Sequence, residues 1–249
     1  MRQKDPVEIE KSRHFFALRN KLKLLRETYD IGFNTHPKPP SFWDKKIKNA
    51  PCSPQDPMTR DRIETALRFM PQDVKEILDV GTGYGFLEEL IQKTRNKISL
   101  YGIDISPLGI RKLRSNFKGD FKVADLREIP YPENSFDAVF ALEVLEHIPP
   151  TDTFLALKEL MRVLIPGGIL IVSVPTNEVI NDFSKNPSGH LRIYTPELIK
   201  AELRLAGFEF IEWKKLYAFN KWYGPKSKVA PFLFWKFHPN NVVIKAEKI

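Results

Sequence analysis

From Lys75 onward, short apolar runs alternate with amphipathic stretches of about 10–15 residues. The apolar runs Glu76–Val80, Leu100–Ile105, Phe121–Ala124, Phe136–Leu142 and Ile169–Val174 read as strands. Between them, Phe86–Lys93, Leu108–Phe117 and Thr153–Leu164 repeat apolar residues at helical spacing. Such alternation predicts right-handed crossovers and a mostly parallel sheet. A further helix, Pro196–Ala206, is stopped by Gly207. Two last apolar runs, Phe208–Trp213 and Val242–Ala246, predict a closing antiparallel pair split by an insertion. That insertion, at about 218–240, is rich in Trp, Phe, Lys and Pro.

The first part of the chain follows another rhythm. Residues 6–30 predict a helix whose apolar face holds Phe15, Phe16, Leu18, Leu22, Leu24 and Leu25. Residues 31–58 hold six prolines and predict a loop docked through Phe42 and Trp43. Thr59 is placed to cap a helix that runs through Phe69. The organisation that follows is an N-terminal helical, Pro-rich extension or cap over residues 1–58, then one α/β domain over 59–249.

Composition narrows the class. The 249 residues suffice for one sizeable core, and 42% hydrophobic with 28% charged residues is ordinary for a globular chain. No apolar run approaches the ~18 residues of a membrane span. The lone Cys52 excludes an internal disulfide and a cysteine-based metal site. A cytoplasmic location follows by default. The net charge of +8 is uneven: residues 1–50 carry 12 Lys/Arg against 6 Asp/Glu, and residues 200–249 carry 10 against 4. Basic ends can attract phosphates, nucleic acid or anionic lipid heads, or be solvated surface.

The chemistry concentrates at Asp79-Val80-Gly81-Thr82-Gly83-Tyr84-Gly85, where the first strand turns into a helix. Glycines permit a sharp turn and a close ligand. A dinucleotide fingerprint would need a third glycine at position 86, which is Phe86. No Gly-Lys-Ser/Thr follows, which excludes a P-loop. Asp104, at the end of the second strand, can accept both hydroxyls of a ribose or cap the next helix. Asp125, after the third strand, can bond an adenine amino group or form a turn, while Ile105 and Leu126 flank the ring.

These motifs resemble the class I S-adenosylmethionine-dependent methyltransferases, from about Lys75 to Phe210. The likeness continues through Ile129-Pro130-Tyr131-Pro132-Glu133-Asn134-Ser135-Phe136-Asp137, Glu143-Val144-Leu145-Glu146-His147-Ile148 and Arg162-Val163-Leu164-Ile165-Pro166-Gly167-Gly168. The resemblance implies a Rossmann-like, doubly wound α/β fold with a seven-stranded sheet, mostly parallel with an antiparallel last strand. It implies S-adenosyl-L-methionine as cofactor. Asp79, Gly81, Thr82, Gly83 and Gly85 would hold its methionine portion, Asp104 its ribose and Asp125 its adenine, with Ile105 and Leu126 beside the ring.

Methyl transfer from a sulfonium needs alignment, exclusion of water and a route for one proton. His147 is a candidate base. Glu143, Glu146 and His147 have the spacing of one helical face. That spacing is similar to the Glu-x-x-Glu-His of ubiquinone-pathway O-methyltransferases and small-RNA 2′-O-methyltransferases, where it binds a divalent metal. With His190 it would make a metal set here, though the same motif occurs in relatives without metal and none is expected. His190, Arg192 and Tyr194 are candidates for the acceptor pocket, or for loop packing. The reading that results is methyl transfer to an oxygen, or a nitrogen, of a small or medium acceptor. The alternatives are a nucleic-acid methyltransferase using the basic, aromatic termini, and a cofactor-binding module without transfer activity.

Overall fold

A computed structural model describes residues 37–49, 56–95, 97–176, 188–219, 223–233 and 238–249. The helix expected at 6–30 lies outside them. Two helices come first, α1 (Pro40–Lys48) and α2 (Pro57–Phe69). Then follow β1 (Glu76–Val80), α3 (Phe86–Thr94), β2 (Ser99–Asp104), α4 (Pro107–Asn116), β3 (Asp120–Val123) and β4 (Phe136–Leu142). The chain continues with α5 (Thr153–Val163), β5 (Leu164–Pro175), α6 (Pro196–Leu205), β6 (Phe208–Leu216), α7 (Tyr223–Val229) and β7 (Asn241–Lys248).

The strands form one seven-stranded sheet in the order β3-β2-β1-β4-β5-β7-β6. β1 to β5 are parallel, and β7 runs antiparallel to both β5 and β6. The chain winds outward from β1 to β3 on one side and from β4 on the other. The switch between β1 and β4 opens a crevice at the carboxyl ends of the strands.

Period-2 alternation fills both faces. Leu78 and Val80, Val139 and Ala141, and Leu170, Val172 and Val174 face Leu157 and Leu160 of α5 and Leu198 and Ile199 of α6. Ile77, Ala138, Phe140, Ile169 and Ile171 face Ile63 and Ala66 of α2, Leu87 and Ile91 of α3, and Ile110 and Leu113 of α4. Each such leucine or isoleucine, removed from water, contributes about 1.5–3 kcal/mol.

Three details differ from the pattern-based reading. The proline-rich stretch contains α1, because Pro40 sits in the first turn, where a missing N–H costs nothing. The cap of α2 is Asp56, not Thr59: its carboxylate accepts from the amides of Met58 at 3.3 Å and Thr59 at 2.7 Å. β5 begins at Leu164, five residues early, because Leu164 pairs with Phe136 across an irregularity in the ladder that absorbs Pro166-Gly167-Gly168.

α1 is fastened where it bears on the crevice. Asp44 accepts from the Ser106 hydroxyl and, at 3.0 Å, from the Leu108 amide, so a side chain of α1 caps the start of α4. Ile47 lies against Gly109, where an added Cβ would come within 2.9 Å of its Cδ1. Lys112 donates to the Ile47 carbonyl at 2.8 Å.

Candidate active site

The crevice is a cavity of about 510 Å³, large enough for a cofactor and part of a second molecule. Its floor is the turn after β1, from Asp79 to Tyr84. The ends of β2 and β3 supply Asp104, Ile105, Asp125 and Leu126. The end of β4 supplies Glu143, Val144 and His147, and α1 and α2 supply Trp43, Lys46 and Arg62.

The glycine turn is built for shape. Gly81 has φ +75°, and a Cβ there would meet Val144 Cγ2 at 2.4 Å. Gly85 has φ +80° and begins α3. The turn's amides are largely committed: Gly81 donates to the Ile103 carbonyl at 2.8 Å, Gly83 to Asp104 Oδ2 at 2.9 Å and Gly85 to the Thr82 carbonyl at 3.0 Å. The turn therefore offers close backbone approach more than free donors.

Beneath the turn lie three acids. Asp79, Glu88 and Asp104 are 3%, 0% and 9% exposed. Burial, with the charge of Asp104 adding to it, pushes the Asp79 carboxyl up to about 7. Burial, then the charge of Asp79, pushes Glu88 well above the usual carboxylate range. Such a group of acids in a low-dielectric wall favours a cationic ligand. Asp104 is fixed in place by the amides of Gly83 and of Ser106, at 2.9 and 2.8 Å. Asp125 also faces the cavity, but Arg127 holds both its oxygens, at 2.9 Å from Nε and 2.7 Å from Nη2. Burial opposes ionisation of Asp125, and the Arg127 hydrogen bonds outweigh it and lower its pKa.

The expected catalytic trio divides. Glu143, in a left-handed conformation at φ 59°, is held on three sides. Its Oε1 accepts from Ser173 Oγ and from Asn241 Nδ2, both at 2.8 Å, and its Oε2 lies 3.2 Å from Arg62 Nη1. It ties β4 to β5, β7 and α2. Glu146 and His147 lie on a single 3₁₀ turn, Leu145–His147. The Nε2 atoms of His147 and His190 each stand 4.0 Å from Glu146 Oε1. One donor atom from each of the three residues falls within 4.8 Å of the others. The four-residue set of the sequence reading is thus reduced to Glu146, His147 and His190, with Glu143 outside it.

His147 Nδ1 lies 3.1 Å from the Gly189 carbonyl. A carbonyl can only accept, so the network assigns the proton to Nδ1 and leaves a lone pair on Nε2. Burial pushes this imidazole down to about 3; the Gly189 bond opposes that fall, and His190 and Lys46 add to it. The ring is therefore neutral near pH 7. Trp43 packs edge-on against it at 4.6 Å, and His190 lies at 5.0 Å.

Arg192 and Tyr194 do not line the cavity. Both are fully buried against α6 and α5: Arg192 donates to Glu202 Oε1 and Thr153 Oγ1, and the Tyr194 hydroxyl to Glu202 Oε2 at 3.1 Å. Of the two uses expected for them, Arg192 and Tyr194 serve packing, because the docking of α6 brings Glu202 to both. Trp43, Lys46, Arg62 and Glu88 were not singled out for the site from sequence alone. Glu88 left one signal, an acid on the otherwise apolar face of α3.

A family model described as "Methyltransferase domain" matches residues 78–172. The chain is 31% identical over 187 residues to 27-O-demethylrifamycin SV methyltransferase of Amycolatopsis mediterranei, covering 68% of this chain and 65% of that protein. It is 29% identical to the ubiquinone biosynthesis O-methyltransferase of Azorhizobium caulinodans, over 69% of this chain and 77% of that protein. The chain thus spans less than two thirds of the rifamycin enzyme's length. In fold it is similar to the [4+2]-cyclase SpnF, with a TM-score of 0.63, 23% identity, and 84% and 91% of the two chains covered. It is also similar in fold to the N-methyltransferase NodS of Bradyrhizobium japonicum in complex with S-adenosyl-L-homocysteine, with a TM-score of 0.61, 16% identity, and 84% and 97% covered.

Proposed function

We propose that the chain is a class I S-adenosylmethionine-dependent methyltransferase, as the domain match over 78–172 and the named relatives support, and that it transfers the cofactor's methyl group to an oxygen of a small-molecule acceptor held between α1 and His147. The observation that carries this reading is one cavity lined by Asp79 and Asp104 at the glycine turn and by His147, whose Nδ1 contact with the Gly189 carbonyl leaves a lone pair on Nε2.

Bound S-adenosyl-L-methionine supplies an activated methyl on sulfur, so the chain need provide no covalent nucleophile. Asp104, preset by two amides, accepts the ribose hydroxyls. Ile105 and Leu126 cover the adenine, and Asp125 reaches its amino group. Asp79, Glu88 and Asp104 favour the cofactor's positive charge. On the acceptor side, Trp43 presents a ring edge against His147, and the acceptor hydroxyl gives its proton to His147 Nε2. Transfer is fast only if acceptor oxygen and methyl carbon are held in line at about 3–3.5 Å, which is the task of the wall formed by α1 and α2.

Glu146, His147 and His190 also fit a divalent cation, since His147 already gives its other ring nitrogen to a backbone carbonyl, as metal-bound histidines do. Such an ion would acidify a bound hydroxyl. The two uses of Nε2 exclude each other. Calorimetric titration with S-adenosyl-L-methionine tests the cofactor assignment. Asp104→Ala should weaken binding at least about tenfold, or ~1.4 kcal/mol, with the fold intact by circular dichroism. An unchanged affinity would overturn the ribose role.

A further inference from the structure

The described residues between β6 and β7 do not line the cavity described above. It carries α7 and a following 3₁₀ turn, Ala230–Leu233. Ala230 is buried and pins the segment to the body. Around it the side chains face water: Val229 is 52% and Phe232 77% exposed, and Pro225, Lys226, Lys228 and Pro231 are exposed as well. A Cβ at Gly224 would meet nothing within 4 Å, so the helix start stands in open space. Pro225 and Val229 lie one turn apart, as do Lys228 and Phe232, so cationic and apolar groups alternate on one projecting tip.

Charge distinguishes this tip further. Between β6 and β7, residues 217–240, the chain has no Asp or Glu and four lysines. Lysines beside exposed apolar groups are what a helix lying in a membrane interface presents: apolar side chains enter the acyl boundary and lysines meet the headgroups. The same features disfavour two other occupants. A second copy meeting it tip to tip would bring lysines against lysines. A nucleic acid would gain from the lysines and from Phe232 but not from Val229, which offers no face for a base to stack on.

We infer that the Tyr223–Leu233 segment docks the protein on an anionic lipid bilayer. The attachment is peripheral, since no helix among the described residues is long and apolar enough to cross a membrane. It rests on exposed groups and is independent of the methyl-transfer reading.

The test is co-sedimentation of the full chain with vesicles of phosphatidylcholine alone, and of phosphatidylcholine with phosphatidylglycerol at roughly three to one. The intact protein should partition at least about tenfold more strongly to the anionic vesicles, less so as salt rises. Val229→Ser with Phe232→Ser, and separately Lys226→Glu with Lys228→Glu, should each cut that partition about tenfold. All four side chains are exposed, so both variants should keep the parent's circular dichroism and cofactor affinity. Equal partition to both vesicle types, or variants that bind like the parent, would overturn the inference. So would tighter binding to a single-stranded oligoribonucleotide that depends on the lysines alone. A concentration-dependent dimer abolished by Phe232→Ser would assign the tip to a second copy instead.

Discussion

Glu143 stands in the motif that suggests catalysis, yet its contacts are those of a strut. Consider Glu143→Gln, which keeps shape and removes charge. One amide oxygen can still accept from Ser173 or Asn241, both fully buried, but the amide nitrogen now faces the Arg62 guanidinium. The Arg62 and Glu143 side chains are 14% and 24% exposed, so solvent screens the pair only in part. Loss of one charge-assisted contact costs about 1.5–3 kcal/mol. Leaving Arg62 partly buried without its counter-charge keeps the cost near the upper end, about 2–3 kcal/mol. In a chain of this length that lowers Tm by about 5–9 °C. Differential scanning calorimetry reads this directly. Arg62→Met alone and with Glu143→Gln completes a double-mutant cycle whose coupling should reach about 1–2 kcal/mol. A Tm unmoved within about 1 °C, beside a methyl-transfer rate down more than tenfold, would refute the argument and return Glu143 to the reaction.

The buried acids give a pH signature. The folded-state pKa of Asp79, near 7, lies above its ordinary 3.8, so the native state holds a proton that the unfolded chain has lost. That contribution is complete below about pH 4 and is lost as pH rises through 7. Glu88→Gln removes an acid that burial holds protonated in the fold, so it should raise the Tm more at pH 8 than at pH 5; the same Tm change at both pH values would rule this out. For the histidine pair, elemental analysis of the purified protein should find no stoichiometric divalent metal if His147 is the base. A stoichiometric ion lost in His190→Ala would show that Nε2 is a ligand.

Much of the fold was legible along the chain because it rests on local periodicity. Glu76–Val80 and Phe136–Leu142 begin and end as the apolar runs predict, and the crossover helices differ from them by a residue or two. The floor of the cavity was legible for the same reason. Asp79 and Asp104 lie at the carboxyl ends of β1 and β2, Gly81 and Asp125 follow β1 and β3 within two residues, and parallel strands deliver those ends to one edge. α1 was not legible, because six prolines read as breakers, whereas proline in a first turn is neutral. Nor was the fate of 190–194: its inward turn depends on Glu202 of α6, eight residues beyond Tyr194, and on Thr153 of α5.

The Glu143-to-His147 spacing states the limit most clearly. A helix would have put Glu143, Glu146 and His147 on one face, and chain order alone sets their nearness and their place after β4. The left-handed backbone at Glu143 and the 3₁₀ turn after it send the two carboxylates in different directions. One reaches Arg62, Ser173 and Asn241; the other reaches two imidazoles, one of them 44 positions away. That division arises only when distant elements pack together. The partners come from α2, β5, β7 and the loop before α6, and no periodic pattern within five residues carries information about elements that meet them only after the sheet has closed.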